Sequence, residues 1–238
     1  MAAFTLGLLA AGLIISAIPV VDSLGTPFHG SRSATANVVA VSKEGDRGVV
    51  GQVTANIEPG SGKILLSTNP FVQASTQRSA KTAKNVAERL TGVELDDKNI
   101  VYSFDMRAQV VGGSSAGAAM TLATIAAIQG KQVPDDFVVT GTIRPDGMIG
   151  RVGEVTTKAM AAGRAGLEKF YVPEGQVVKT YYERKVEKDV MFPGLYTRDV
   201  EYVRKTYSIA TLTERRYNMT TEAVSSIEEL YREVYRKK

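Results

Sequence analysis

Ser115 and Lys158 are the two residues whose types and setting bear most directly on chemistry. Ser115 stands in Gly112-Gly113-Ser114-Ser115-Ala116-Gly117-Ala118-Ala119-Met120, and Lys158 in Gly153-Glu154-Val155-Thr156-Thr157-Lys158-Ala159. A serine hydroxyl is a poor nucleophile until a base takes its proton. The chain has no Cys and a single His. That excludes thiol catalysis, disulfides and zinc sites of the Cys type, and it nearly excludes a Ser-His-Asp triad. A serine with a lysine base needs neither residue. Lysine acts as a base only when neutral, and an ordinary pKa of about 10.4 leaves well under ~0.1% neutral at pH 7. Such a lysine has to be desolvated among apolar groups. Val155, Ala159, Met160 and Ala162 flank Lys158 on an expected helix.

On its own the serine motif reads three ways. Two glycines before a serine allow a tight strand-to-helix turn that exposes the hydroxyl and aims backbone N–H groups at an oxyanion. The same residues fit a phosphate-binding nest, or a plain helix capped by Ser with Ala and Gly for close packing. Lys158 taken alone reads as an ordinary surface lysine on an amphipathic helix, and only beside the serine motif as a base.

The elements that would position these residues follow from pattern. Residues 35–43 and 48–57 alternate and are rich in Val, so they read as two strands joined by a turn at Glu44-Gly45-Asp46. A third strand is expected over 63–68. Residues 75–91 form a helix with Ser75 or Thr76 as cap, a stripe of Ala80, Ala83, Val86, Ala87 and Leu90, and Gly92 at its end. Residues 99–111 read as one strand into the Gly112-Gly113 turn. A small-residue helix then runs from Ser114 or Ser115 to Gln129, closed by Gly130. A buried strand over 137–143, a helix over 154–165 and a strand over 169–172 follow. Residues 176–189 and 222–236 look helical, and 195–213 follows no clear pattern. Alternating strands and helices argue an α/β or α+β fold.

Residues from about 60 to 175 resemble the proteolytic domain of Lon proteases. The nucleophile motif Gly-x-Ser-Ala-Gly is matched by Gly113-Ser114-Ser115-Ala116-Gly117, and a Thr-Gly strand by Thr140-Gly141-Thr142. The helix carrying the lysine is matched by Ile149-Gly150 through Lys158-Ala159-Met160-Ala161-Ala162, and the spacing from Ser115 to Lys158 is the family's. Upstream, Gly60-Ser61-Gly62-Lys63 and Thr76-Gln77-Arg78-Ser79-Ala80 also fit. The second run is similar to archaeal Lon-like serine peptidases that carry an N-terminal hydrophobic segment and no ATPase domain. The resemblance implies an α+β, ribosomal-protein-like fold after an N-terminal hydrophobic helix. It implies Ser115 as nucleophile, Lys158 as general base, Thr140 as a support for the lysine, and the amides of Gly113 and Ser115 as oxyanion donors. Two positions depart from the family: Gly112 where many Lon proteases carry Asp, and Ser114 where Pro is usual.

Ala2 to Val21 contains no charge. About 20 residues of helix span a hydrocarbon core of about 30 Å. The segment reads as a transmembrane anchor or a signal peptide. Residues 1–25 are thus a membrane or export segment, 26–34 a linker, 35–175 the peptidase-like domain, and 176–238 an α-rich extension. The domain is expected to be membrane-anchored or exported and to face outside the cytoplasm. Net charge +4 and pI 9.2 are mildly basic with interleaved signs, and no stripe of aromatic and basic residues marks a nucleic-acid binder. Gly60-Ser61-Gly62-Lys63 is not a Walker A motif, because Ile57 and Ile64 stand where Gly and Ser or Thr are required. No cofactor or metal is implied. His29 reads as a solvated linker residue. The expected function is an ATP-independent serine endopeptidase acting on extended or unfolded polypeptides, and the resemblance makes a homo-oligomer plausible. The alternatives are a non-catalytic membrane-tethered scaffold and a phosphate-binding domain of the small-molecule kinase type.

Overall fold

A computed structural model describes residues 28–41, 47–68, 71–106, 110–111, 114–192 and 195–236. The apolar segment 2–21, the turn at 44–46 and the pair Gly112-Gly113 lie outside them. Among the described residues no helix is long and apolar enough to cross a membrane.

In chain order the elements are β1 (Arg32–Val41), β2 (Gly48–Pro59), β3 (Ile64–Thr68), β4 (Phe71–Val72), α1 (Ala74–Thr91), β5 (Lys98–Asp105) and β6 (Val110–Val111). A single 3-10 turn at Ser114–Ala116 leads into α2 (Gly117–Gln129). Then come β7 (Phe137–Val139), β8 (Thr142–Ile143), β9 (Ile149–Gly150), α3 (Val155–Arg164), β10 (Lys169–Pro173), β11 (Val178–Phe192), β12 (Leu195–Ser208), α4 (Ile209–Tyr217), β13 (Thr220–Val224) and α5 (Ile227–Tyr235).

Two sheets organise the molecule. The first has the order β1-β2-β5-β3, antiparallel except for the parallel pair β3–β5. Alternation turns Ala34, Ala36 and Val38, Val53, Ala55 and Ile57, and Ile100, Tyr102 and Phe104 inward. Against them lies α2, whose residues Gly117 to Ile128 are all buried. A helix covered on every side needs small side chains, and this one is rich in Ala. Its two threonines satisfy their hydroxyls internally: Thr121 donates to the Gly117 carbonyl and Thr124 to that of Met120, both at 2.8 Å. Helix α1 packs on α2 through Ala80, Ala83, Val86 and Ala87 and ends at Gly92, whose φ of 69° is the left-handed region that glycine tolerates. The second sheet is parallel, β13-β10-β7. With α3 and α4 it encloses a second core of Val138, Val155, Ala159, Ala162, Phe170, Val172, Ile209 and Met219.

Mixed helix and strand match the α+β expectation, and most elements fall where pattern places them. Five do not. α1 begins at Ala74 with Gln73 in the cap position rather than Ser75 or Thr76. The expected strand over 99–111 ends at Asp105, and Val110–Val111 pairs separately with Phe71–Val72. The small-residue helix starts at Gly117, one 3-10 turn later than the serines. The strand over 137–143 is broken at Thr140-Gly141.

The fifth departure is the largest. Residues 176–189, read as a helix, belong instead to the long antiparallel hairpin β11–β12, with Val178 opposite Ser208 and Val186 opposite Val200. β-branched and Tyr residues at alternate positions favour a strand, and cross-strand pairing overrode the helical propensity of Glu, Lys and Arg. The stretch 176–238 is therefore not uniformly helical. It carries this hairpin and the strand β13 as well as α4 and α5.

Candidate active site

The break at Thr140-Gly141 is what joins the serine to the lysine. Thr140 still belongs to the second sheet, since its N–H donates to the Tyr171 carbonyl at 3.0 Å. One residue later the chain turns to the first layer. The Gly141 N–H donates to the Ser115 carbonyl at 2.9 Å, and the Gly141 carbonyl accepts from the Ala118 N–H at 3.1 Å. Two hydrogen bonds thus clamp the turn Ser114–Ala116 and the first residues of α2 to Gly141. Space is tight around this clamp. A Cβ on Gly117 would come within 2.8 Å of the Ile143 backbone nitrogen, closer than packed atoms tolerate. Ser115 itself is half-buried.

Lys158 approaches Thr140 from the other side. It lies in the middle of α3, is 5% exposed, and donates through Nζ to Thr140 Oγ1 at 3.1 Å. Thr140 is completely buried. Val155, Ala159, Ala161 and Ala162 of the same helix are buried around the lysine stem, while Met160 is only half-buried. Burial pushes the ammonium down to about 8 from the usual lysine range, and the carboxylate of Glu154 pulls in the opposite direction. Lysine is thus brought into the range where a substantial fraction is neutral at mildly alkaline pH.

Glu154 is a residue that sequence reasoning passed over. It occupies the cap position before α3 with φ 54° and ψ 35°, a left-handed conformation uncommon for a non-glycine side chain. Its carbonyl accepts from the Lys158 N–H at 3.0 Å. Nothing in the local pattern Gly153-Glu154-Val155 distinguishes this from an ordinary acidic first turn.

The residues singled out from sequence fall as follows. Ser115, Thr140 and Lys158 converge on the Thr140-Gly141 break. Gly113, expected to supply an oxyanion amide, lies outside the described residues. His29 sits near the start of the described chain, ahead of β1. A cleft of about 510 Å³ opens beside the first turn of α3, lined by Arg151, Glu154, Val155, Gln176, Val178 and Thr180 among others. Its lining does not include Ser115 or Lys158. One wall is fixed by Gln176, whose amide imitates a strand partner: Oε1 accepts from the Val152 N–H at 2.9 Å and Nε2 donates to the Val152 carbonyl at 2.8 Å.

A family model described as the Lon protease (S16) C-terminal proteolytic domain matches residues 34–191. An archaeal Lon protease of Methanocaldococcus jannaschii is 27% identical over 144 residues, covering 58% of this chain and 22% of its own length. The archaeal Lon protease of Thermoplasma acidophilum is 30% identical over 126 residues, 53% of this chain and 19% of that protein. The Lon protease of Finegoldia magna is 30% identical over 131 residues, 53% of this chain and 17% of that protein. The chain thus spans about a fifth of the length of the curated relatives it matches.

Proposed function

Because the chain belongs to the Lon protease (S16) C-terminal proteolytic domain family, we propose that it is a serine endopeptidase whose catalytic pair is Ser115 and Lys158. The single observation that carries the reading is the buried lysine: a side chain of this type, held on Thr140 in an apolar pocket, is costly unless its neutral form is used.

In the proposed reaction, neutral Lys158 Nζ removes the proton from Ser115 Oγ as the oxygen bonds to the scissile carbonyl carbon. The tetrahedral oxyanion is held by the amides of Gly113 and Ser115, each such donor being worth about 3–4 kcal/mol. The C–N bond then breaks, and the Lys158 ammonium returns the proton to the departing amine. Water attacks the acyl-enzyme by the same base, releasing the new carboxyl group and free Ser115. Thr140 contacts neither substrate nor Ser115 Oγ in this scheme and is a positioning residue, orienting Lys158 Nζ by accepting its hydrogen bond.

Substrates are proposed to be extended or unfolded polypeptides, cleaved without ATP. Residues 2–21, uncharged throughout, are proposed to attach the protein to a membrane or direct its export, with the catalytic domain outside the cytoplasm. Family likeness further supports self-association. The test of the nucleophile compares Ser115→Ala with Ser114→Ala on unfolded casein without ATP. Ser114→Ala should retain cleavage and Ser115→Ala should lose it. Equal activity in the two variants would refute the assignment. Fractionation of cells into membrane and soluble pools tests the attachment, and recovery wholly with cytoplasmic proteins would contradict it.

A further inference from the structure

The hairpin β11–β12 is used by none of the chemistry above, yet its two faces differ sharply. Over residues 178–186 and 200–208, register places Val178, Thr180, Tyr182, Arg184 and Val186 on one face, opposite Ser208, Thr206, Arg204, Tyr202 and Val200. Tyr182 pairs across with Arg204, and Arg184 with Tyr202. This face holds two arginines and no carboxylate. It also holds most of the exposed large apolar side chains among the described residues, with Tyr182 66% and Tyr202 65% exposed and Val178, Val186 and Val200 exposed beside them. The opposite face is engaged with the molecule and with itself. Tyr207 shares a hydrogen bond with Thr156 of α3 at 2.8 Å, its ring meets Tyr181 edge-on, and Lys205 pairs with Glu183 at 3.8 Å.

Exposed Tyr and Arg are residues enriched at binding hot spots, and the exposed Val side chains beside them extend the patch's apolar area. Two further observations indicate what it binds. The hairpin is a sheet of only two strands, so among the described residues each strand has an outer edge with no strand partner, open to an added strand. Val178 and Thr180, which begin the open face, also line the cleft beside Glu154 and Val155. Lys158 lies one helical turn further along α3. A strand laid along the β11 edge therefore enters the cleft next to the catalytic helix.

Resting on the peptidase reading above, we propose that the Tyr182–Tyr202 face and the adjacent β11 edge form an exosite. It would hold an extended polypeptide rich in acidic and aromatic side chains as an added strand and deliver it along the cleft toward α3. The backbone edge favours a polypeptide, since neither a lipid surface nor a nucleic acid supplies a strand's alternating N–H and C=O groups.

The test uses the full chain carrying Ser115→Ala, so that binding is read without cleavage. The probe is a fluorescent random copolymer of Glu and Tyr, followed by anisotropy. Arg184→Glu and Lys185→Glu change charge equally at neighbouring positions on opposite faces, both exposed. Arg184→Glu should weaken binding about tenfold and Lys185→Glu only slightly. Tyr182→Ser with Tyr202→Ser should weaken it comparably, with thermal melting unchanged. In the Ser115-containing protein these variants should raise KM for unfolded casein and leave kcat/KM for a short neutral peptide unaltered. Equal loss in the two charge reversals, equal affinity for a copolymer of Lys and Tyr, or tighter binding to anionic phospholipid vesicles or oligothymidylate than to the Glu-Tyr copolymer would each overturn the exosite. Copolymer binding of the expected pattern in a protein that never cleaves would leave the exosite standing and refute the peptidase reading instead.

Discussion

Lys158 Nζ donates to Thr140 Oγ1 at 3.1 Å, and the next residue along, Gly141, donates its N–H to the Ser115 carbonyl at 2.9 Å. Serine and lysine come from separate helical segments and separate cores, but both are tied to one dipeptide where a strand breaks. The relative placement of the pair is thus set by backbone and buried side-chain bonds rather than by surface loops. That is the rigidity the proposed nucleophile and its proposed base would require.

Activity should rise with pH along a limb centred near pH 8. Only neutral Lys158 accepts the serine proton, and burial holds its pKa at about 8. The profile of kcat/KM for a short peptide between pH 6 and 10 checks this. A limb near 10.4, the value for a solvated lysine, would show that Lys158 is not the titrating base.

Glu154→Gln should move that limb to lower pH. The carboxylate raises the lysine pKa against desolvation, so removing it leaves desolvation less opposed and increases the neutral fraction at pH 7. A limb that stays in place or moves upward would remove Glu154 from the electrostatics of the site.

The same desolvation has a cost in stability. Between the folded pKa of about 8 and the unfolded 10.5, the unfolded chain binds the proton and the folded chain does not, so stability rises with pH across that window. Below pH 8 the lysine is charged in both states and its burial costs about 3 kcal/mol. Lys158→Met should therefore raise the denaturation midpoint at pH 7, with the gain shrinking as pH approaches 10.5. Urea titrations at pH 7 and pH 10 read this directly, and a variant less stable at pH 7 would contradict it.

Much of this site was legible in sequence, and the reasons differ by residue. Ser115 and Lys158 stood out because an inventory with no Cys and one His leaves few nucleophilic pairs. The hydrophobic flanks of Lys158 foretold its burial. Thr140 entered only through the family resemblance, because a threonine at a strand end has no local signature. The break after Thr140 was hidden because β-branched residues on both sides of Gly141 let Phe137 to Ile143 read as one strand, while the Gly141 bonds that interrupt it go to α2 and the turn before it, distant in sequence. Glu154 was hidden for the same reason: its left-handed backbone is a tertiary outcome. The hairpin was misread because charged residues of high helical propensity fill its strands. Val178 pairs with Ser208 and Val186 with Val200, outside the window in which periodicity is read, so the pattern of residues 176–189 alone did not expose the register.

Gly117→Ala should damage both stability and activity. The added methyl meets the Ile143 backbone nitrogen at 2.8 Å, and backbone cannot rotate away as a side chain end does. Overpacking of this kind costs about 1–3 kcal/mol, and any relief has to move α2 away from β8, loosening the Ser115–Gly141 clamp. A melting curve and a peptidase rate measured together check it. Unchanged values for both would mean that the clamp is not rigid.

The most direct test of the central claim is cleavage of unfolded casein, without ATP, by the full wild-type chain beside Lys158→Met. Methionine keeps the apolar length of the lysine and removes the base together with its bond to Thr140. Cleavage by wild type with loss of at least a hundredfold in the variant is the expected result. Comparable cleavage by both proteins would contradict the assignment of Lys158 as the general base.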